Sequence, residues 1–534
     1  MNPKILYDNK LSDGTLTASH TDADPIYNVA HLTDLRPHTL WKGTTADPLY
    51  VDVDLGALTC YPIGSNLITN GGFDSTTTGW TANNATLASA AGGQSGNCLQ
   101  VTRTGGTDQG AYQFVTLTPG KAYRLTAYVK SGTSGNELYG IYYDGGNLHR
   151  TDGTTSGSWV QVVIDFVARI STQSIYLEKL TGTAGTMLFD TVSLYELAYP
   201  PMANALGICS HNLEAIKARI EVSARGSDDD YVTVHEGFRK NLLTNGHFNN
   251  DATGWLTDNC TATVNAGGQS ETCVSLLRTG ATGQYIYQDI VLAVGKTYRA
   301  SFFVKNGSIS GTSFYAGVID SYGLSQGAVG GTTTASWVRI TFDFVCYDGT
   351  TSFWIGKNNS TAGSILFDSV ELYELLGDNA PVFIPFDYDI YSTRYWRIKI
   401  TGHTAAPYLG VVLLGECLDF PYPPDTPHEP AQVGIEATTE VSKVGNLLGS
   451  IVNYKPITIN AVFSILSRDF VYNEFKPFWD SHASLLMPFF WGFDLTTYPE
   501  SAYFVIIDPA SKFSTPLSVL AYVDSLTLAM KGVS

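Results

Sequence analysis

Five tyrosines have the type and placement of residues that could bind a sugar. Tyr139, Tyr142 and Tyr143 lie in the first half of the chain, and Tyr315 and Tyr322 lie in the matching stretch of a second copy of the same sequence. A flat aromatic ring can pack on the C–H face of a pyranose while nearby polar groups bind its hydroxyls. The two copies differ most in this stretch, which favours a binding surface. The alternative is that the tyrosines only pack on a sheet face.

Other side chains with catalytic potential point to structural roles. Asp228, Asp229 and Asp230 form an acidic run typical of a solvated hairpin turn. His211 and Asn212, at the end of a predicted strand, favour a satisfied structural pair over a catalytic one. The sequence has no His-Glu-x-x-His motif, no phosphate-binding loop and no Gly-x-Ser-x-Gly turn between a strand and a helix. We therefore expect no enzymatic activity.

The elements that must position the tyrosines belong to a long internal repeat, residues 66–197 and 241–375. The motif Asn-Leu-x-x-Asn-Gly-x-Phe at 66–73 recurs at 241–248, at an offset of about 175 residues. Further matched pairs are 78–80 with 253–255, 92–95 with 267–270, 158–160 with 336–338, and 188–190 with 366–368. Solenoid units are only ~20–50 residues long, so this repeat is a duplicated domain.

Alternation of apolar and polar residues dominates each repeat. Residues 122–129 and 159–166 alternate with the period of two that half-buried strands show, and Gly, Ser, Thr and Asn clusters separate such runs. Roughly eight to ten short strands in each repeat predict a two-sheet jelly roll. In the order of its motifs, each repeat resembles the carbohydrate-binding modules that accompany xylanases and cellulases. The resemblance covers about half of the chain and implies glycan binding.

The resemblance also implies a structural calcium ion in each jelly roll. In such modules an acidic residue after the last-strand Leu-Phe motif helps to hold calcium together with backbone carbonyls, and Asp190 and Asp368 occupy that place here. Asp74 lies near the start of the first repeat, but its counterpart is Asn249. The alternative is that these acids cap turns. We expect no cofactor to be required beyond this calcium.

Four tryptophans and two cysteines recur at equivalent positions, and we predict that they lie in the core of each repeat. They are Trp80 with Trp255, Trp159 with Trp337, and Cys98 with Cys273. The seven cysteines are odd in number and lack the spacing of metal sites. We expect them to be reduced and partly buried.

The remaining fragments are predicted strands without local partners. A Val-Asp-Leu-Gly strand at 53–56, a strand at 218–223 and an Arg-Tyr-Trp-Arg-Ile strand at 394–398 make sense only when joined. In series they resemble a discoidin-type β-sandwich, assembled from 1–65, 198–240 and 376–425. Insertion of whole domains is tolerated at loop tips where the ends of the insert lie close together. The predicted fold class is all-β, with one sandwich split by two jelly-roll insertions.

A proline-rich stretch at 421–430 precedes a further β-rich domain, residues 430–534. The start of the chain lacks the order of charged and apolar residues of a secretory signal, and no apolar run reaches the ~20 residues of a membrane span. This layout, and the pattern of the C-terminal domain, resemble bacteriophage tail-tip and baseplate proteins. The resemblance implies assembly in the bacterial host cytoplasm and a final location in the virion.

Composition narrows the classes of partner. The 534 residues include 52 glycines, 12% aromatic and only 15% charged residues, with a net charge of −18. Such a chain does not resemble a basic nucleic-acid binder, and an acidic surface mainly implies solubility. We expect a homo-oligomeric tail-tip component that contacts other tail proteins and adheres to host surface polysaccharide, without membrane insertion. The alternatives are a free or secreted carbohydrate-binding protein or adhesin, and a glycan hydrolase with accessory modules.

Overall fold

Strands make up most of the computed structural model, as the alternating sequence predicts. The structure describes all residues except 1, 56–60, 105–108, 120, 134, 145–147, 169–170, 181–183, 199–201, 226–230, 238, 240, 249–250, 270–271, 279–283, 359–361, 387–390, 445, 496, 515–521, 524 and 534. The all-β fold class is therefore confirmed. Among the described residues, no helix is long and apolar enough to cross a membrane.

The first repeat is a sandwich of two antiparallel sheets. One sheet contains, in spatial order, Val160–Val167, Ala122–Ser131, Thr186–Ala198, Asn97–Arg103 and Ala85–Ala91. The other contains Leu148–Thr154, Leu138–Asp144, Thr172–Lys179, Gln109–Thr116 and Thr81–Asn83. Alternate residues of both sheets meet in one apolar core around Phe73, Phe166 and Phe189, each fully buried. Each such ring contributes about 1.5–3 kcal/mol through burial.

The second repeat has the same two-sheet arrangement. One sheet contains Cys260–Ala266, Thr272–Arg278, Ser364–Glu374, Thr297–Asn306 and Val338–Val345. The other contains Leu256–Asp258, Gln284–Val291, Thr350–Lys357, Ser313–Asp320 and Ser325–Thr332. Cys98 and Cys273 are buried at equivalent strand positions, as predicted. All six described cysteines are free thiols, and Cys60 lies outside the described residues.

The shared Asn-Gly-x-Phe motif builds the same loop in both repeats. Asn70 adopts a φ of 54°, and its Nδ2 donates to the carbonyl of Thr78 at 3.0 Å. A Cβ on the next residue, Gly71, would lie 2.0 Å from the carbonyl oxygen of Val192. Gly246 has the same 2.0 Å conflict in the second repeat. The motif recurs because only glycine allows this loop to approach the last strand.

A third sandwich is assembled from three separated segments of the chain. One sheet contains Trp41–Lys42, Tyr408–Gly415, Ala205–His211 and Val382–Pro385. The other contains Val232–Glu236, Arg219–Arg225, Tyr395–Thr401, Leu49–Asp54 and Thr15–Ala18. Trp41 and Trp396 are fully buried in its core. We call this unit the split sandwich.

The first repeat enters and leaves the split sandwich at one place. Tyr61–Ile63, which leads into the repeat, pairs with the end of the last repeat strand, with Ile63 opposite Glu196 and Tyr61 opposite Ala198. A small apolar cluster, Ala122, Val167, Leu197 and Val232, joins the two units. Adjacent ends are the condition under which one domain can be inserted into another.

Buried charges join the second repeat to the split sandwich. Arg219 of the sandwich is 2% exposed, and its Nε lies 3.2 Å from Oε1 of Glu371 in the repeat. Glu371 also accepts from Ser301 Oγ at 3.0 Å. The Nη1 of Arg299 donates to the carbonyl of Glu214 at 2.7 Å. In the first repeat the position of Glu371 holds Ser193, so the two repeats are attached by different chemistry.

The C-terminal domain includes one strand that precedes the split sandwich in the chain and one strand that follows it. Its seven-stranded sheet contains Cys417–Asp419, Lys4–Leu6, Phe489–Gly492, Ala502–Ile507, Leu526–Gly532, Ile457–Phe463 and Gln432–Val433. We predicted residues 1–65 and 376–425 within the discoidin-like unit, whereas Lys4–Leu6 and Cys417–Asp419 pair with this sheet. Each of these strands has three residues, which is too short for its sequence to specify the sheet that it joins.

Short helices and two-stranded sheets complete the described structure. The α-helices are Lys10–Asp13 and Lys476–Ser481, the 3-10 helices are Val29–Thr33, Ala483–Leu485 and Pro499–Ser501, and Phe470–Phe475 is a π-helix. The two-stranded sheets are Met202–Ala203 with Tyr391–Ser392, Leu466–Ser467 with Tyr522–Val523, and Glu436–Val441 with Leu447–Tyr454. The π-helix Phe470–Phe475 leads directly into the α-helix Lys476–Ser481, which has a proline in its first turn.

Candidate carbohydrate-binding faces

Each repeat turns one sheet face away from its core and fills it with aromatic rings. In the first repeat, Ala111, Ile175 and Ile141 point into the core from neighbouring strands. Side chains alternate along a strand, so Tyr112 and Tyr176, which flank these residues, point to the opposite face. We call this surface, in either repeat, the open face.

A row of three tyrosines crosses the first open face. Tyr112 pairs with Tyr176 and Tyr176 pairs with Tyr142 in the strand register. The ring centroids of Tyr112 and Tyr176 lie 5.3 Å apart, and those of Tyr176 and Tyr142 lie 4.5 Å apart with an interplanar angle of 10°. The hydroxyl of Tyr142 donates to Oε1 of the buried Glu178 at 2.8 Å. The stack and this hydrogen bond hold the row in place.

An exposed ring extends the first open face. Phe114 follows Tyr112 on the same strand and contacts it edge to face, with centroids 5.5 Å apart. Its side chain is 65% exposed. An apolar ring that remains in water next to a tyrosine row offers an uncovered surface for the C–H face of a sugar.

Four rings form a compact patch on the second open face. Tyr287 is the strand partner of Trp354, and Tyr315 stacks on Trp354 with centroids 4.8 Å apart. Tyr285 lies 5.6 Å from Trp354, and its hydroxyl hydrogen-bonds to Asp258, which raises the pKa of Tyr285. All four rings are partly exposed. The patch therefore combines aromatic surface with an acceptor at its rim.

The two open faces share a centre and differ beside it. Trp354 occupies in the second repeat the place of Tyr176 in the first. The third ring has moved by one row of the sheet, because Tyr142 is replaced by Gly317 and Gly140 is replaced by Tyr315. Rows two residues apart are separated by roughly 6.6 Å. The first face presents a line across the strands, and the second presents a patch.

The sequences of both repeats match one known family of domains. Residues 65–181 and 240–356 match the family model described as a carbohydrate binding domain. Each repeat is a carbohydrate-binding domain. The match stops before the last strand of each repeat, which pairs at the centre of the sheet behind the open face. No curated protein sequence matches the chain.

Three solved structures illustrate what the chain is similar to. The CBM22-1–CBM22-2 tandem domain of Xyn10C from Paenibacillus barcinonensis aligns at 14% identity over 59% of this chain and 98% of its own, with a TM-score of 0.23. A structure titled "CBM4 structure and function" aligns at 21% identity over 25% and 99%, with a TM-score of 0.21. The enzymatically active domain of bacteriophage CBA120 tailspike protein 4 aligns at 16% identity over 25% and 21%, also at 0.21.

Three of the five predicted tyrosines lie away from the open faces of the carbohydrate-binding domains. Tyr143 is fully buried and stacks on Phe166 at 3.8 Å, and Tyr139 belongs to the same core. Tyr322 is 84% exposed in the turn between two strands of the second open face. We therefore no longer assign sugar contact to Tyr139 or Tyr143, because a ring inside the core cannot meet a surface ligand.

Sequence reasoning missed most of the aromatic residues on the open faces. Among them are Tyr112, Tyr176, Phe114, Tyr285, Tyr287 and Trp354. The signal was present in part, since Tyr112 and Phe114 alternate with Ala111 and Val115, which lie in the core. Such alternation indicates that these aromatic residues occupy the face opposite the core.

Only two of the four recurrent tryptophans lie in the core of a carbohydrate-binding domain. Trp80 and Trp255 are each 7% exposed and belong to the two cores, as predicted. Trp159 and Trp337 are partly exposed, and the prediction was wrong for them. Lys305 Nζ lies 5.6 Å from the ring of Trp337, a cation–π contact near the surface. The charged end of Lys305 must stay in contact with water, so the tryptophan ring that it contacts lies near the surface.

Asp190 and Asp368 accept hydrogen bonds from backbone N–H groups. Asp190 is fully buried, its Oδ2 accepts from Ser95 N at 2.9 Å, and its Oδ1 accepts from Thr191 N at 2.6 Å. Burial raises the pKa of Asp190, and the nearby charge of Asp74 adds to this rise. Asp368 likewise accepts from the backbone N of Gln269 at 2.6 Å. Each carboxylate thus ties a glycine-rich turn to the last strand.

These surroundings do not fit the predicted calcium ion. Calcium takes 6–8 oxygen ligands, whereas the carboxylate of Asp190 faces N–H donors. Asp74 Oδ1 accepts from Asn97 N at 3.3 Å, and its counterpart, Asn249, lies outside the described residues. In the part of the chain that the structure describes, no three His, Cys, Asp or Glu residues group as metal ligands. The turn-capping alternative accounts for the observed contacts.

We expect Asp190→Asn and Asp368→Asn each to lower the free energy of unfolding by about 1.5–3 kcal/mol, the value of hydrogen bonds to charged groups. Chelation of calcium should leave the melting temperature of the wild-type protein unchanged. Thermal unfolding with calcium and with EDTA measures both effects. Glu429→Gln, an exposed carboxylate outside the repeats, is the control and should change stability by less than about 0.5 kcal/mol. A large loss of melting temperature in EDTA would restore the calcium assignment.

His211 has a structural place in the split sandwich. It is fully buried, its Nε2 donates to the carbonyl of Ala380 at 2.9 Å, and its Nδ1 accepts from Leu213 N at 3.3 Å. Asn212 Oδ1 accepts from Tyr408 N at 2.9 Å. Both ring nitrogens are hydrogen-bonded when the imidazole is neutral and carries its proton on Nε2. This arrangement fits the predicted structural pair. The acidic run 228–230 lies outside the described residues.

His211 should make the split sandwich sensitive to acid. Burial, helped by the charge of Arg239, lowers the pKa of His211 from 6.5 to about 4. The unfolded chain therefore binds the proton more tightly, so this contribution to stability is complete above pH 6.5 and is lost as the pH falls toward 4. The loss amounts to roughly 3 kcal/mol at about 1.36 kcal/mol per pKa unit.

Denaturant unfolding of the full chain between pH 7 and 4 measures this loss. His211→Gln lacks a titrating group, so its stability should fall less than that of the wild-type protein over the same range. An equal fall in both proteins would assign the acid sensitivity to other groups.

Proposed function

We propose that the open faces of the two carbohydrate-binding domains bind neutral polysaccharide. The observation that carries this proposal is that both repeats place rings at the same two central positions of a water-facing sheet, Tyr112 with Tyr176 and Tyr287 with Trp354. Partly exposed aromatic rings at matched positions leave apolar surface in contact with water, and a binding role accounts for them. Aromatic rings pack on the C–H face of a pyranose, and flanking acceptors bind its hydroxyls.

The charge around the faces favours neutral glycans. Glu178 lies beneath the first row of rings, and Asp258 and Asp289 border the second patch. The net charge of the chain is −18. The carboxylates that border the second patch accept hydrogen bonds from sugar hydroxyls, and all three acids repel uronates and sialates.

Affinity electrophoresis of the full chain tests this proposal. Gels would contain xylan, a neutral β-glucan or polygalacturonate, and retardation would be compared with a gel without polysaccharide. We expect retardation by at least one neutral polysaccharide and none by polygalacturonate. Equal mobility in all gels, or retardation by polygalacturonate alone, would contradict the proposal.

We further propose that the chain displays these faces as a structural component of a bacteriophage tail tip and adheres to host surface glycans. The support is the layout, with two binding domains on a split sandwich and a separate C-terminal domain. Two weak sites per chain in a multi-chain assembly would bind far more tightly than one site. The second candidate is a free carbohydrate-binding protein, which the family match favours equally.

Cryo-electron microscopy of the purified chain, alone and mixed with phage tails, separates these candidates. A ring that seats on the tail with both open faces outward would support the tail-tip role. A monomer that ignores tails yet binds polysaccharide would favour the free protein.

A further inference from the structure

The C-terminal domain carries a hairpin that packs on nothing in the described structure. Its strands, Glu436–Val441 and Leu447–Tyr454, pair with each other and with no other described strand. Between residues 432 and 455 every residue with described burial is exposed, except Ser442, which is partly buried. The hairpin therefore projects from the edge of the seven-stranded sheet.

The hairpin exposes an unusual amount of apolar surface. Seven large apolar side chains in and beside it are 52% to 82% exposed, namely Val433, Ile435, Val444, Leu448, Ile451, Val452 and Tyr454. Burial of such a side chain removes on the order of 60–120 Å² of apolar surface. An isolated two-stranded hairpin is marginal in water, so a covering partner would stabilise it.

The second strand of the hairpin has the character of a pairing edge. The eight residues of Leu447–Tyr454 contain no charge and no proline. Proteins usually protect a free edge with lysine, proline or a short strand, and an unprotected apolar edge pairs with another chain. Main-chain hydrogen bonds along such an edge add a strand to a sheet.

The charges on the hairpin select which edges can meet. The first strand carries Glu436 and Glu440, while Lys443 and Lys455 flank the second strand. Pairing two first strands would set glutamate against glutamate, and pairing two second strands would set lysine against lysine. Pairing the second strand of one copy with the first strand of the next sets lysine against glutamate at both ends. Opposite charges across strands stabilise a pair, and like charges destabilise it.

We propose that this hairpin pairs edge to edge with the same hairpin of another copy, second strand against first, so that copies of the chain form a ring. The contact uses two different surfaces of the same hairpin, and a repeated contact of this kind closes into a ring when the rotation permits. With all hairpins pointing the same way, the strands form one continuous antiparallel sheet. This assembly is independent of glycan binding.

Charge reversal on the full chain tests the proposal, with the molecular mass measured by mass photometry and light scattering over a dilution series. We expect the wild-type chain to form an oligomer. Glu436→Lys and Lys455→Glu should each raise the concentration of half-dissociation several-fold, and the double variant should restore it, since its lysine again faces a glutamate. Ile451→Lys, which puts a charge on the apolar strand, should raise it at least tenfold.

Matched controls keep the outcome interpretable. Val291 is as exposed as the hairpin residues, at 85%, and lies on the second repeat, so Val291→Lys should leave the assembly unchanged. All substituted residues are exposed, and circular dichroism should show that each variant folds. A wild-type chain that stays monomeric at every concentration up to its solubility limit would overturn the proposal. So would an oligomer that survives Ile451→Lys, or one that Lys455→Glu alone strengthens, which would indicate pairing of two second strands.

Discussion

Arg219→Met is expected to lower the free energy of unfolding by about 3–5 kcal/mol, because it removes a buried cation that two buried carboxylates contact. The guanidinium of Arg219 lies 3.2 Å from Glu371 and 2.9 Å from Glu221, and all three side chains are buried. It also lies over the ring of Phe303 at 5.4 Å. Methionine fills the space of the stem but supplies no charge. The contact joins the split sandwich to the second repeat, so both units should unfold at lower temperature.

Differential scanning calorimetry of the full chain measures this effect, with an expected fall of about 10 °C in the affected transition. Arg397→Met is the matched control. Arg397 binds Asp52 at 2.6 Å on the same sheet, but both side chains are partly exposed, at 27% and 35%. A surface pair contributes about 0–1 kcal/mol, and the rings of Tyr50 and Tyr231, 4.3 and 4.1 Å from the guanidinium, add about 0.5–1 kcal/mol each. This variant should therefore lose less stability than Arg219→Met. Equal losses in the two variants would show that burial does not set the strength of the Arg219 contact.

Tyr176→Ala and Trp354→Ala are each expected to weaken polysaccharide binding by the carbohydrate-binding domain that contains them by about 2 kcal/mol, or roughly 30-fold. Each residue sits on the middle strand of its open face and contacts rings on the neighbouring strands. The substitution removes one ring and also removes the ring contacts that hold the neighbouring aromatic side chains in place. The double variant should lose more than either single variant, because two sites on one chain act together and gain 10²–10⁴ in avidity.

Isothermal titration with a soluble neutral polysaccharide measures these affinities for the full chain. Trp337→Ala is the control for Trp354→Ala, since Trp337 is a partly exposed tryptophan of the same domain whose ring contacts Lys305 instead. It should bind as the wild-type protein does. If Trp337→Ala weakened binding while Trp354→Ala did not, the ligand would bind on the sheet behind the open face.

Part of the candidate site could be predicted from the sequence. Tyr315 lies partly exposed on the second open face, and Tyr142 belongs to the row on the first open face with 8% of its surface exposed, so sugar contact by these two residues stays a prediction. Tyr139 and Tyr143 could not be separated from Tyr142 in this way. A strand with tyrosines at consecutive positions places rings on both of its faces, and composition does not reveal which face meets the other sheet.

The carboxylates show a second limit. Asp190 and Asp368 were predicted at equivalent positions that could hold calcium or cap a turn. The sequence places them after the Leu-Phe motif, but the groups around each carboxylate come from a loop far away in the chain, such as Ser95 for Asp190. Whether an acid faces N–H donors or carbonyl oxygens depends on the fold of that loop.

The duplication, the strand character of each repeat and the resemblance to carbohydrate-binding domains are properties of the sequence alone. They follow from local patterns, because alternation with a period of two and recurring glycine turns act within a few residues. The partners of each strand, the rows of rings and the buried contact between Arg219 and Glu371 were decided only by the tertiary structure. These features depend on strand register and on which units pack together. Register is a cooperative result of core packing between segments far apart in the chain, so no local pattern specifies it.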